Sequence, residues 1–433
     1  MKQIINSLLD SDLYKFTMCN AVLHLFPDAD VEYRFKNRGS QRFNTAFLAE
    51  LKRQIQLMST ISLSDIEYSW IKENIPFFSP TYVEYLKNYR YNPDEVHVSL
   101  DAEDNLVIDI KGSWHSTIMW EVPLMALISE LYFKMIDTDW DIKDMDPIIH
   151  RKANILGDDA CVYADFGTRR RKSFAVQDRA IAGFRGYCET YGKGTFVGTS
   201  NVYFAMKWGL KPIGTMAHEW IMGISAIEGL RHANYYALQN WVRVYNADLG
   251  IALTDTFGTP AFFDNFNMRL AKLYDGVRHD SGCPIEFGDK VIAHYIKLGI
   301  DPKSKVIVFS DGLNPIEAVR IQRYFKGKVK ISFGIGTNFT NDFEGSPALN
   351  MVIKLWSCDG IPVVKLSDVG GKVMGDPDAV KVAQWTFQDK PLSKEVEMKY
   401  VLEQFLHCLP ANKDWLDPDV ERMAREICGW DHK

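Results

Sequence analysis

His218, in the stretch GTMAHEWIMG, is the residue of this chain best suited to chemistry near neutral pH. An imidazole can act there as a nucleophile or as a proton carrier. A zinc motif is excluded: the text runs His-Glu-Trp-Ile-Met, so Met222 stands where His-Glu-x-x-His needs its second ring. No aspartate or serine within a few residues suggests a hydrolytic triad. Its candidate companions lie far along the chain. Asp165, Arg169, Thr199, Ser200, Asn201, Asp255, Arg278, Asp280, Ser310, Asp311, Gly334, Gly336 and Lys365 each follow or close a short apolar run. One aspartate after a strand is an ordinary helix cap, and RRRK at 169–172 is by itself an ordinary solvated face. Nearly every run ending in a group for an anion, a metal or a hydroxyl is more than capping requires.

Gly334-Ile335-Gly336-Thr337 and Ser310-Asp311-Gly312 offer backbone N–H groups to a phosphate, as late barrel loops do. GIGTNF lacks the third glycine of a dinucleotide fingerprint, and YGKGTF has no Gly-Lys-Ser/Thr, so neither nucleotide motif is available. Arg169, Arg278 and Lys365 add cations, and Arg278 can grip a carboxylate through two parallel bonds. Asp255, Asp280 and Asp311 can hold Mg2+, with waters or substrate oxygens completing its shell. Phosphates, a metal and a polar floor the size of a sugar point to a phosphorylated sugar. No activated Ser or Cys nucleophile is visible.

These residues converge only if the runs are strands of one barrel. CVYADFG, TFVGTSN, KPIGTMAHE, GIALTDTFG, GVRHDSG, KVIVFSDG, VKISFGIGTN and IPVVKLSD are followed by helix-like text, most at intervals of roughly 25–35 residues, the length of a β-plus-α unit. Their cores lack alternation, as strands buried on both faces do. The expected class is α/β, an irregular or open (β/α)8-type barrel with its functional groups at the C-terminal strand ends, plus an α+β domain. The last unit, LNMVIKLWSCDGIPVVKL, reads more as a hairpin. SDLYKFTMCNAVLHLF predicts a helix capped by Ser11 or Asp10, and MWEVPLMALISELYFKM a long buried one. DVEYRFKNR and NLVIDIKG alternate as half-wet strands of an antiparallel sheet. The expected division is an α+β domain over 1–135, the barrel over 136–373, and a C-terminal segment over 374–433 that packs on the first domain.

Net charge is −6, which argues against general nucleic-acid binding. The seven cysteines are scattered without a C-x-x-C, as in a reducing cytosol. The N-terminus lacks the apolar core of a signal peptide, and no run approaches the roughly 20 apolar residues of a membrane span. A cytoplasmic enzyme without membrane contact is expected.

SDLYKFTM, ADFGTRRR, FVGTSNV, GTMAHEW, LTDTFGT, GVRHDSG, FSDGLN and FGIGTN, in this order, resemble the nicotinate phosphoribosyltransferase family. The resemblance implies formation of nicotinate mononucleotide and pyrophosphate from nicotinate and phosphoribosyl pyrophosphate, coupled to ATP hydrolysis with Mg2+, in NAD biosynthesis from nicotinate. It also implies a homodimer with shared sites. His218 matches the histidine that ATP phosphorylates transiently; Asp255 and Asp280 match groups that stabilise the sugar or hold metal. Phe166 and Tyr14 align with aromatics on the two faces of the pyridine, Tyr14 coming from the partner subunit. Thr199, Ser200 and Arg278 fall at nicotinate, and Arg169, Ser310, Asp311, Gly312, Gly334, Gly336, Thr337 and Lys365 at phosphate, pyrophosphate or ribose. The similar nicotinamide-using transferase carries an aspartate where Ser200 stands; without that carboxylate the site can receive the acid. The alternatives are a nicotinamide or quinolinate transferase, a barrel sensing phosphorylated ligands, and a metal-dependent barrel hydrolase. The hydrolase would need more ligands than His218 and His279 supply near strand ends.

Overall fold

Leu13–Leu25 forms the helix that its apolar spacing predicts, buried on every side from Leu13 to Val22, Lys15 included. Neither Ser11 nor Asp10 caps it. The N-cap is Asp12, whose side chain makes no cap bond, because Asp10 is drawn to Arg171 and Asp12 to Ser200. The computed structural model describes residues 1–387.

The first part of the chain supplies Asp30–Asn37 (β1), Val96–Leu100 (β2) and Leu106–Ser113 (β3) to an antiparallel sheet. Alternation decides its faces: Leu106, Ile108 and Ile110 are buried, with exposed Val107 and half-buried Asp109 between. Glu121–Met135 is the long buried helix. Seven parallel strands follow: Val162–Asp165 (β4), Thr195–Thr199 (β5), Lys211–Pro212 (β6), Ile251–Leu253 (β7), Gly276–His279 (β8), Val306–Phe309 (β9) and Lys330–Ile335 (β10). Their order is β6-β5-β4-β10-β9-β8-β7, an open, curled sheet with helices between successive strands. Among the described residues β6 and β7 do not pair; Thr215 Oγ1 donates across the gap to the Ile251 carbonyl at 2.9 Å.

The eighth expected strand is not in this sheet. After the short ladder of Asp342–Phe343 (β11) and Ser346–Pro347 (β12), Met351–Cys358 (β13) and Ile361–Pro362 (β14) return to the antiparallel sheet, ordered β14-β13-β1-β3-β2. The cause is the Asp359-Gly360 turn. Both residues have positive φ, 49° and 75°, the geometry of a two-residue hairpin that can only reverse the chain. The division at 373 thus assigned to the barrel two strands that lie in the first sheet. Of the C-terminal segment, Pro377–Phe387 is helical, and Phe387 stacks on Phe257 of the barrel at 4.9 Å. The expected packing of the tail on the first domain falls mainly on 388–433, outside the described residues. Among the described residues no helix is long and apolar enough to cross a membrane.

Candidate active site

His218 is the first residue of the helix His218–Ile227. Gly223 lets this helix press on Trp114, since a Cβ there would fall 2.2 Å from the indole. Glu219 anchors its start. Glu219 Oε1 accepts from Tyr33 Oη at 2.6 Å and Trp114 Nε1 at 2.9 Å, and Oε2 pairs with Lys15 Nζ. Lys15 also meets Glu121 Oε2 at 2.5 Å. Unpairing a buried ammonium is costly, so the helix start is held to Leu13–Leu25 by Lys15, while Tyr33 ties it to the antiparallel sheet.

His218 is 3% exposed. Its Nε2 lies 2.8 Å from Asp255 Oδ1 and 3.5 Å from Asp280 Oδ2. Asp255, just past β7, has both oxygens engaged. Its Oδ2 accepts from Ser281 Oγ at 2.6 Å and from Lys365 Nζ and Ser367 Oγ at 3.2 Å each. Asp280, just past β8, has Lys365 and Arg278 at 4.0 Å, and its Oδ1 accepts from Ser310 Oγ at 3.1 Å. Burial and then the Lys365 ammonium push the His218 pKa down to about 4, against the pull of Asp255. Burial opposes ionisation of both aspartates. The His218 ring and Lys365 nonetheless hold Asp255 well below the usual carboxylate range, and Arg278, His218 and Lys365 hold Asp280 below it. A carboxylate only accepts, so the ring proton sits on Nε2 and Nδ1 keeps its lone pair. Among the described residues Nδ1 has no partner.

The other strand ends follow in sheet order. At β9, Asp311 pairs with Lys372, and Gly312 takes a φ of 57°. At β10, Gly336 precedes the short helix Thr337–Thr340. Gly334 leaves room for the Phe166 ring, which a Cβ would meet at 2.3 Å; its role in the geometry is to seat Phe166. At β4, Asp165 is enclosed, accepting from Gln177 Nε2 at 2.8 Å, Thr199 Oγ1 at 2.7 Å and Gly167 N at 2.9 Å. Thr199 therefore gives its hydroxyl proton to a buried neighbour. Asn201 caps Val202–Trp208 and reaches Asp10 at 2.8 Å. Arg169 lies 3.7 Å from Glu121 and close enough to Tyr14 for the two to shift each other's ionisation. The Tyr14 hydroxyl is buried and unpartnered among the described residues.

Direct contacts thus bring together His218, Asp255, Asp280, Arg278, Ser310 and Lys365. Ser200 needs a correction. The site near Ser200 does hold a carboxylate: the Ser200 Oγ donates to Asp12 Oδ1 at 2.7 Å. The N-terminal segment folds over the β5 end, with Leu13 N on the Ser200 carbonyl at 2.8 Å, and burial raises the Asp12 pKa. Sequence reasoning also missed Lys15, Glu121, Glu219 and Lys354. Lys354 Nζ lies 3.9 Å from Glu121, and burial pushes its pKa down to about 8. The usable signal was a charge inside an apolar helical run, as in LYKFTM, MWEVPLM and HEWIMG, which must find a buried partner.

The N-terminal domain model of the nicotinate phosphoribosyltransferase family matches residues 9–129, and the family's main model matches 161–391. The nicotinate phosphoribosyltransferase of Methanosarcina mazei is 51% identical over 412 residues, covering 90% of this chain and 100% of that protein. That of Methanococcoides burtonii is 52% identical over 410 residues, with the same coverage. Among solved structures, the nicotinate phosphoribosyltransferase of Porphyromonas gingivalis is 40% identical with a TM-score of 0.85, over 89% of this chain and 100% of that one. A putative one from Saccharomyces cerevisiae is 39% identical with a TM-score of 0.86, over 90% and 99%. With two matched models spanning most of its length and relatives at about half identity over 90% of it, the chain belongs to the nicotinate phosphoribosyltransferase family.

Proposed function

We propose that this chain forms nicotinate mononucleotide and pyrophosphate from nicotinate and phosphoribosyl pyrophosphate, with ATP phosphorylating His218 in each cycle. One observation supports the phosphohistidine most: a buried neutral imidazole whose Nε2–H is held by Asp255 while Nδ1 is unpartnered among the described residues. The Nδ1 lone pair attacks the γ-phosphorus, the bridging P–O bond breaks, and ADP leaves. The ring becomes cationic, and Asp255 stabilises it without taking the proton. Lys365 and Arg278 stand against Asp280 on the Nε2 side of the ring.

In the transfer, the pyridine nitrogen attacks C1 of the ribose as pyrophosphate departs. Arg169, Arg278 and Lys365 are the cations for the phosphates, Asp280 faces the positive charge growing on the sugar, and Ser310, Asp311, Gly312, Gly336 and Thr337 line the ribose-phosphate end. Phe166 and Tyr14 supply aromatic faces worth about 0.5–1.5 kcal/mol beyond area burial. With Asp12 beside Ser200, preference for the acid rests on the cations Arg169 and Arg278 rather than on a missing carboxylate.

The donor set bears on Mg2+. His218, Asp255 and Asp280 could cluster round an ion, their atoms lying within 4.8 Å, but Asp255 is fully engaged and the Lys365 ammonium already lies against it. Asp280 and Asp311, hard carboxylates at neighbouring strand ends, would hold Mg2+ with substrate oxygens as further ligands once Lys372 leaves Asp311. When bound, the ion would neutralise the departing pyrophosphate. The reading further holds a homodimer, a cytosolic location and a place in NAD synthesis from nicotinate.

A product assay with nicotinate, nicotinamide and quinolinate, each with and without ATP, tests this. Nicotinate should be turned over in preference and faster with ATP. Preference for nicotinamide overturns the substrate, and indifference to ATP overturns the phosphohistidine.

A further inference from the structure

After the β13–β14 hairpin the chain crosses the mouth of the barrel. Lys365 and Met374 bridge in both directions at 2.8 and 2.9 Å and close a loop between them. One side of this loop is fixed to the β7 and β8 ends, around the carboxylate that holds His218. Leu366 N donates to the Thr256 carbonyl at 2.8 Å, and Ser367 Oγ reaches Asp255. Asp368 accepts from Thr259 N and Oγ1 at 2.8 and 2.6 Å, and its own N–H reaches Ser281 Oγ at 3.1 Å. On the other side the fastening is Lys372. Its Nζ donates to the Asp280 carbonyl at 3.0 Å and pairs with the Asp311 carboxylate, so it spans the β8 and β9 ends. The two side chains are 29% and 30% exposed, so this pair is partly solvated and easily exchanged. Asp311 is also the carboxylate assigned above to ribose or Mg2+. A pentose entering the site and Lys372 therefore address the same group.

We infer that Lys372 is a positioning residue that fastens the 365–374 loop across the β8 and β9 ends and so keeps water from phosphorylated His218 until the pentose binds. This rests on the phosphohistidine reading. Water attack on that group breaks the N–P bond, releases dihydrogen phosphate and returns the neutral ring with its proton on Nε2, so ATP is consumed without product.

The test uses the full chain as Lys372→Met and Lys372→Arg. The readouts are the lifetime of acid-labile phosphate after ATP is removed, the ATP hydrolysed per nicotinate mononucleotide formed, and amide exchange across 365–374. In Lys372→Met the lifetime should shorten about fivefold, the effect of losing one partly solvated ion pair, and ATP per product should rise in step. Exchange should quicken within the loop, KM for nicotinate should hold, and Lys372→Arg should recover all three readouts. Wild-type lifetime and coupling in Lys372→Met overturn the inference, as do equal losses in both variants. A wild-type chain that takes up no label at all overturns the phosphohistidine and this inference together, and is told apart by the absence of label before ATP is removed.

Discussion

His218 and Asp255 join the two edges of the parallel sheet. The strand that leads to the histidine, β6, and the strand that leads to the aspartate, β7, are its end strands, and the 2.8 Å hydrogen bond between the two side chains spans the gap. The curl that makes the barrel and the contact that fixes the His218 ring are therefore one feature. Asp280 and Lys365 sit against the same contact, the lysine arriving from the antiparallel sheet's hairpin in place of an eighth strand.

Asp255→Asn tests what holds the ring proton. An asparagine can turn its amide N–H towards Nε2, which moves the ring proton to Nδ1 and removes the attacking lone pair. Phosphorylation of His218 should slow by about 10²–10⁴-fold, by analogy with the loss of an orienting aspartate elsewhere. Nicotinate affinity, measured by calorimetry, should be unchanged. A phosphorylation rate within about tenfold of wild type contradicts the tautomer assignment.

Gly223→Ala tests how the helix is seated. Its Cβ would meet the Trp114 ring at 2.2 Å, and that ring is wholly buried. Overpacking of this kind costs about 1–3 kcal/mol in urea unfolding. Because the helix must shift to relieve it, label uptake by His218 should fall as well. A loss of stability with unchanged uptake would separate the helix position from the chemistry.

The pH dependence follows from the depressed imidazole. His218 has a pKa of about 4 in the folded chain and an ordinary value of 6.5 when unfolded. Between these values the unfolded chain binds a proton that the folded chain does not, so this group's contribution is constant above about pH 6.5 and stability is lost as pH falls towards 4. His218→Asn removes that slope. Relative to wild type, the variant should gain about 2 kcal/mol on going from pH 7 to pH 5. A difference that stays flat means the folded imidazole is protonated.

Much of this arrangement was legible in the sequence because strand-end motifs report local chemistry. Gly-Thr-Met-Ala-His, Thr-Asp-Thr and Arg-His-Asp-Ser each end an apolar run, and parallel topology then collects them at one mouth. The hairpin at Asp359-Gly360 was equally readable, its turn type set by two adjacent residues. Asp12 was not. It meets Ser200 only because the N-terminal segment lies over the β5 end, a contact between residues 188 apart in the chain. Glu219 and Lys15 were hidden for a different reason. Burial of a charge depends on a partner from another element, and local pattern carries no record of that partner.

The proposed cycle turns on attack by His218 Nδ1 on phosphorus. Incubation with ATP carrying isotope in its γ-phosphate, followed by peptide mapping and phosphorus NMR of the modified ring, measures it directly. Acid-labile phosphate should be found at His218, on Nδ1, and none in His218→Ala. Phosphate on Nε2, or on any other residue, contradicts it.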